Sequence, residues 1–156
     1  MVDFFYRGSD IVISTTKEKK EIVFSTTTHS VSLDGYDVTF PGEYEKSGIL
    51  LEVKEYGENL FYRFLVLGYH VVIVQNDNFE LTEDILWFFG DVDVLIIKGT
   101  KAAVKIYESI EAKLVVPFGE EKEIFLNSLA QNKEAVATYR IKGELNGEIT
   151  EFVNLQ

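Results

Sequence analysis

The two halves of the chain have different hydrophobic periods, and this change constrains the fold more than any other feature of the sequence. Up to Val74, apolar and polar residues alternate in short runs separated by turn signals such as "LDG" and "GEN". Such alternation predicts antiparallel β-strands with one buried face. Strands are predicted near residues 2–6, 10–15 and 22–27, and then over "YDVTF", "GILLEVKEY", "LFYRFLVL" and "YHVVIV".

The second half instead alternates helical patterns with continuous apolar runs. "LTEDILWFFG" predicts a helix with Thr82 as its N-cap and Gly90 as its stop. "VDVLII" and "KLVVPF" predict strands that are buried on both faces, and "TKAAVKIYESI" and "GEEKEIFLNSLA" predict helices between and after them. Two final strands are predicted in "AVATYRI" and "GEITEFVNL". This order predicts an α/β sandwich in a single domain over residues 1–156.

Composition argues against several classes of protein. The chain has no cysteine, which excludes disulfides and thiolate metal sites. Its formal charge of −11 repels phosphates and anionic lipids, so neither nucleic acid nor a membrane is expected as a partner. The longest apolar stretch is interrupted by Arg63 and His70, and "MVDFFYRGSD" does not resemble a secretion signal. We therefore expect a cytoplasmic protein.

Several stretches resemble the metallo-β-lactamase-fold hydrolases, and in particular their small lactonase-like, Zn-dependent branch. The likeness is carried by "PGEYEKSGI", "ELTEDILWFFGDVDVLII", "AVKIYESIEAKLVVPF" and "FLNSL". The resemblance implies an αββα sandwich, here in a truncated form, with one or two metal ions at one edge of the sheets. It also implies metal ligands from an HxHxDH loop, a later histidine, a bridging aspartate and a final histidine.

The positions that match those ligands carry other residues. If His29 is the first ligand of the loop, Val31, Leu33 and Asp34 occupy the following ligand positions. The bridging aspartate falls on Asn76, with Asp77 one place off, and the final histidine falls on Gly119. Valine, leucine and glycine offer no side chain that can coordinate a metal. The resemblance therefore implies a degenerate member of the fold, a pseudoenzyme without cofactor or catalytic residues.

Three functions remain open at this point. The preferred hypothesis is a non-catalytic structural or protein-interaction module, either a homo-oligomer or a subunit that binds another protein. The first alternative is a residual zinc- or manganese-dependent hydrolase with an altered site built from His29, Asp34, Asp77 and Glu43. The second is a small-ligand binding protein that uses the vestigial cleft. The many aromatic residues, 12 Phe, 8 Tyr and 1 Trp, favour a contact surface in addition to a core.

The "PGEYE" stretch and the second histidine have simple structural interpretations. The "PGEYE" stretch is predicted to form a turn, with a polar contact from Tyr44 or Glu43 to a neighbouring loop, because Pro-Gly suits such a corner. His70 is predicted to be a strand histidine with satisfied hydrogen bonds, since no ligand motif surrounds it.

Overall fold

A computed structural model describes the whole of residues 1–156 and contains fifteen strands and three helices. In chain order the elements are β1 (Val2–Arg7), β2 (Asp10–Thr15), β3 (Glu21–Ser25), β4 (Val31–Leu33), β5 (Tyr36–Val38), β6 (Gly42–Lys46), β7 (Ile49–Tyr56), β8 (Asn59–Val66), β9 (Tyr69–Val74), α1 (Glu83–Phe89), β10 (Val94–Lys98), α2 (Ala103–Ser109), β11 (Leu114–Phe118), α3 (Lys122–Ser128), β12 (Ala135–Val136), β13 (Thr138–Ile141), β14 (Glu151–Phe152) and β15 (Asn154–Leu155).

The strands form two main sheets. The first is antiparallel throughout, with the strand order β13-β1-β2-β3-β4-β5. The second has the order β14-β11-β10-β9-β8-β7-β6, and it is antiparallel from β6 to β9 and parallel from β9 to β14. Helices α1 and α2 are the crossovers that parallel pairing requires. The carboxyl ends of β9, β10 and β11 therefore lie together at one edge of the second sheet.

Two hydrophobic clusters hold the layers together. A cluster of 25 buried residues fills the space between the two sheets, and a second cluster of 17 lies between the second sheet and the helices. The side-chain period of two explains this division, since Phe64 points between the sheets and its neighbour in the opposite phase, Phe61, points toward the helices. Each helix has seven residues, and none has the length or the apolar character needed to cross a bilayer.

The outer face of the first sheet is covered by long charged side chains in place of helices. The Arg7 guanidinium lies 5.8 Å from the ring centre of Phe5 and forms an ion pair with Glu21 at 2.8 Å. On the same sheet, Arg140 donates to both carboxylate oxygens of Asp3 at 2.7 and 3.0 Å. The aliphatic stems of such residues can cover apolar surface while their charged ends stay in water. The predicted sandwich is thus present in a truncated form, with its helical layer on one sheet.

The structure also departs from the sequence-based predictions in places. The region after β3, where the resemblance places the HxHxDH loop, contains the short strand β4, whose residues Val31 and Leu33 are buried in the core. "PGEYE" is largely the edge strand β6, and the tight turn falls later, at Ser47 and Gly48, which both have positive φ. The predicted polar contact of this stretch is present, because the Tyr44 hydroxyl donates to the Phe40 carbonyl at 2.5 Å.

Candidate functional site

The edge formed by the carboxyl ends of β9, β10 and β11 is the place where the structure collects candidate ligand positions. Asp77 follows β9, Lys98 ends β10 and Gly119 follows β11. The turn after β3 brings His29 to the same edge from the first sheet. Its imidazole stacks on Phe24 at 6.0 Å between ring centres, and Phe24 in turn contacts Phe118 edge-on at 5.2 Å.

His29 is held in place by its backbone as well as by its ring. It adopts a left-handed conformation with φ of 61°, and its amide donates to the Ser25 carbonyl at 2.9 Å. Partial burial lowers the pKa of the His29 imidazole, and the nearby Lys98 ammonium lowers it further. The side chain is therefore neutral at pH 7, as a metal ligand must be, but it shares its surroundings with a fixed cation.

Lys98 is the feature of this edge that sequence reasoning missed. Its Cγ lies 3.6 Å from the position that a Cβ on Gly119 would occupy, so it covers the residue that matches the final histidine ligand. The signal that could have found it is its place as the last residue of a buried apolar strand, since the carboxyl ends of parallel strands border functional edges.

Asp77 is engaged in the local structure. Its Oδ2 accepts a hydrogen bond from the Thr100 hydroxyl at 2.7 Å, and the Thr100 Oγ1 accepts from the Ala103 amide at 3.1 Å. The pair thus ties the loop after β9 to the first turn of α2. The neighbouring Asn76 donates to the Asn59 side chain at 2.8 Å and holds the same loop to the start of β8.

Asp34 lies at the other end of the first sheet. Its side chain accepts from the Glu21 amide, at the start of β3, and from the Ser47 hydroxyl, at 3.4 and 2.5 Å. His29 is bonded to Ser25, at the end of the same strand, and four residues of strand span about 13 Å. The Ser47 hydrogen bond holds the pKa of the Asp34 carboxyl below its usual value. Asp34 therefore serves a turn and cannot join His29 and Asp77.

Glu43 is also separated from the edge. It is exposed on β6 opposite Glu52, and β6 lies three strand spacings, about 14 Å, from β9. Across the chain, no group of three or more His, Cys, Asp or Glu side chains is placed to hold a metal ion. The altered hydrolase site of His29, Asp34, Asp77 and Glu43 is therefore not assembled.

The residues at this edge do not fit a metal ion. A catalytic zinc site uses three protein ligands and an open position for water, whereas this edge offers one imidazole and one hydrogen-bonded carboxylate beside an ammonium group. The five principal cavities of the protein also lie elsewhere, since none of them is lined by His29, Asp77 or Lys98.

His70 occupies a strand, as predicted, but its hydrogen bonds are not all satisfied. Its amide donates to the Asp93 carboxylate at 2.8 Å, whereas its buried Nδ1 has no partner. Burial and the nearby Arg63 lower the pKa of its imidazole, while Asp93 opposes this shift. The prediction of a satisfied histidine was wrong, because the Asp93 carboxylate bonds the backbone of His70 and not its ring.

Comparison with known proteins supports the fold and no closer relationship. No protein-family model matches the sequence, and no curated protein matches it. Among solved structures, the chain is similar to a Thermotoga maritima protein described as a candidate Zn-dependent hydrolase of the metallo-β-lactamase superfamily. The two share 19% identity with a TM-score of 0.75, and the match covers 99% of each chain. The chain therefore has the metallo-β-lactamase fold, which confirms the predicted fold class.

Proposed function

We propose that this protein is a non-catalytic, metal-free form of the metallo-β-lactamase fold that acts through contacts with another protein chain. The observation that carries the proposal is Lys98, whose side chain lies over Gly119, with its Cγ 3.6 Å from the position of a Cβ at that residue. A cation at this position repels a second cation, because like charges oppose each other. The edge is thus better suited to exclude zinc or manganese than to bind it.

The loss of ligands supports the same proposal. Val31 and Leu33 point into the core, where they are 2% and 1% exposed, so the strand that contains them cannot offer ligands to solvent. Metal-dependent hydrolysis needs a metal-bound water beside the substrate, and that water needs several fixed ligands around its metal. Asp77 is the one carboxylate of the expected ligand set at the edge that contains His29, and it already accepts from Thr100.

Native mass spectrometry tests the metal-free state. The protein is purified without chelator, incubated with zinc or manganese, and exchanged into volatile buffer. We expect no specific retention of either ion, and no turnover of generic phosphodiester or lactone substrates. Retention of one or two ions per chain that is lost in His29→Asn or Asp77→Asn would contradict the proposal and support the hydrolase alternative.

The proposed contact surface surrounds Trp87 on α1. This side chain is 84% exposed, and it borders a shallow surface that also includes Glu52, Lys54 and Arg63. Leu50, on the same face of the second sheet, is 47% exposed. Aromatic residues are enriched at interfaces, and a patch with charges of both signs can complement itself across a two-fold axis. We therefore favour a second copy of this chain as the partner.

The native mass of the same sample tests this contact. We expect a dimer whose fraction rises with protein concentration, and a monomer for Trp87→Glu. Ile149→Glu is the matched control, because Ile149 is 69% exposed and lies before β14. Strands β14 and β6 are the two outermost strands of the second sheet, on opposite sides of it. A wild-type protein that stays monomeric at every concentration would refute a second copy as the partner, without affecting the metal result.

A further inference from the structure

The end of the sandwich opposite to His29 contains a cavity of about 400 Å³. Three turns surround it, namely the β2–β3 turn with Lys17 and Lys20, the β6–β7 turn with Ser47, and the β8–β9 turn with Leu67. Its volume lies in the range of pockets that bind small molecules in proteins.

The inner wall of this cavity is apolar. Ile49 and Val66 line it at 2% exposure each, and Leu67 extends the wall toward solvent with 59% of its surface exposed. Leu67 adopts a left-handed conformation with φ of 48°, which leucine rarely accepts because its Cβ approaches the following carbonyl. The two-residue turn between β8 and β9 requires this conformation, and it places an apolar side chain at the mouth of the cavity.

The mouth of the cavity carries two lysines, although the chain as a whole has a charge of −11. Lys17 and Lys20 line it together with Glu18, and the Asp34 carboxylate lies behind them, bonded to the lining residue Ser47. Neither lysine takes part in the three ion pairs of the protein, which are Arg7 with Glu21, Lys113 with Asp93 and Arg140 with Asp3. Two ammonium groups next to an apolar wall are complementary to a molecule with an anionic head and an apolar body.

We propose that this cavity binds a small amphipathic anion. The apolar body packs on Ile49, Val66 and Leu67, and the head group lies between the ammonium groups of Lys17 and Lys20. Carboxylate and phosphate head groups share the chemistry that the two lysines recognise, since lysine binds either as a point charge. This site is separate from the edge that contains His29. Absence of anion binding would therefore leave the proposed metal-free function unaffected, and metal binding would leave this site unaffected.

Isothermal titration calorimetry tests the site with three probes of equal chain length. Decanoate and decyl phosphate represent the two head groups, and decylamine carries the opposite charge on the same apolar body. We expect one binding site per chain for at least one of the anions and none for decylamine. The tighter of the two anions identifies the head group.

Two variants locate the binding on this cavity. The double substitution Lys17→Glu and Lys20→Glu is expected to weaken anion binding roughly tenfold, because it replaces two favourable charge contacts by repulsion. Lys101→Glu with Lys105→Glu is the matched control, since it makes the same change in net charge at two exposed lysines outside the cavity. Leu67→Asn removes the apolar wall and suits the left-handed turn better, so weaker binding by this variant does not reflect unfolding.

Three outcomes would overturn the proposal. The first is no heat of binding with either anion. The second is decylamine binding as tight as that of the anions, or many weak sites per chain, which indicates detergent-like adsorption. The third is an equal loss of affinity in the two lysine double variants, which indicates a general effect of net charge.

Discussion

The β8–β9 turn offers a substitution whose effect on stability depends on two opposing terms of known size. Leu67 and Gly68 connect Val66 to Tyr69, and their φ values of 48° and 83° are those of a type I′ turn. Asparagine followed by glycine is the preferred pair in such a turn. The left-handed conformation costs an ordinary residue about 1–2 kcal/mol, and asparagine pays less of this cost. Leu67→Asn is therefore expected to relieve strain.

Lost burial acts in the other direction. Leu67 is 59% exposed, so roughly two fifths of its surface is buried. Complete burial of a leucine side chain contributes about 1.5–3 kcal/mol, so the part lost on substitution is about 1 kcal/mol or less. The strain term is equal to or larger than this loss. We expect Leu67→Asn to leave the free energy of unfolding unchanged or to raise it by up to about 1 kcal/mol.

Urea unfolding followed by circular dichroism measures the effect, read as a shift in midpoint at constant slope. Leu50→Asn is the matched control, because Leu50 is 47% exposed and lies in the regular strand β7, where its φ is not positive. The control loses similar burial without relief of strain, so we expect it to lower stability by about 1 kcal/mol. Equal destabilisation by the two substitutions would show that the turn is not strained.

Three further predictions concern polar groups that the structure singles out. The pKa of His29 is lower in the folded state than in the unfolded state. Its contribution to stability is therefore present above a pH of about 6.5 and is lost as the pH falls through the folded-state pKa. We expect His29→Asn to lose less stability toward urea than the wild type when the pH is lowered from neutral to acidic. Thr100→Val removes the hydroxyl that donates to Asp77 and caps α2, and should lower the unfolding free energy by about 1–2 kcal/mol, whereas Thr100→Ser should lower it less. Arg140→Met breaks the pair of hydrogen bonds with Asp3. Because Arg140 is half exposed, we expect the free energy of unfolding to fall by about 1 kcal/mol or less, and by less in high salt. A decrease that salt leaves unchanged would indicate that packing of the arginine stem is responsible.

The elements that sequence patterns predicted best are those with strong local signals. The buried runs ending at Lys98 and Phe118 are strands, as predicted, because only a strand covered on both faces needs so many consecutive apolar residues. Helix α1 begins after Thr82, whose side chain accepts from the Ile85 amide, and ends at Gly90, as the cap signals indicate. The short strand β4 was missed because three residues give too little alternation to distinguish a strand from a loop.

The candidate site was only partly predictable, for a different reason. His29 and Asp77, the ligand-type residues nearest to the expected positions in the sequence, lie at the same edge of the sandwich. Asp34 follows His29 closely in sequence, yet the intervening strand β4 reverses along β3 and places it at the opposite end. The closeness of the two residues in sequence therefore did not predict closeness in space, since strand direction determines which end of a sheet a residue reaches. Lys98 was not predicted, because lysine is not a metal-ligand type and no ligand motif of the sequence includes it.

The surroundings of His29, Asp77 and Lys98 show how the fold accommodates a lysine near the positions where the resemblance places metal ligands. Neither core cluster includes His29, Asp77 or Lys98, so their identities cost little buried apolar area. What these residues still do is structural, because His29 stacks on Phe24 and Asp77 accepts from Thr100 at the start of α2. In the proposed metal-free role, these two ligand-type residues stabilise the loops at the carboxyl ends of the strands through stacking and hydrogen bonding.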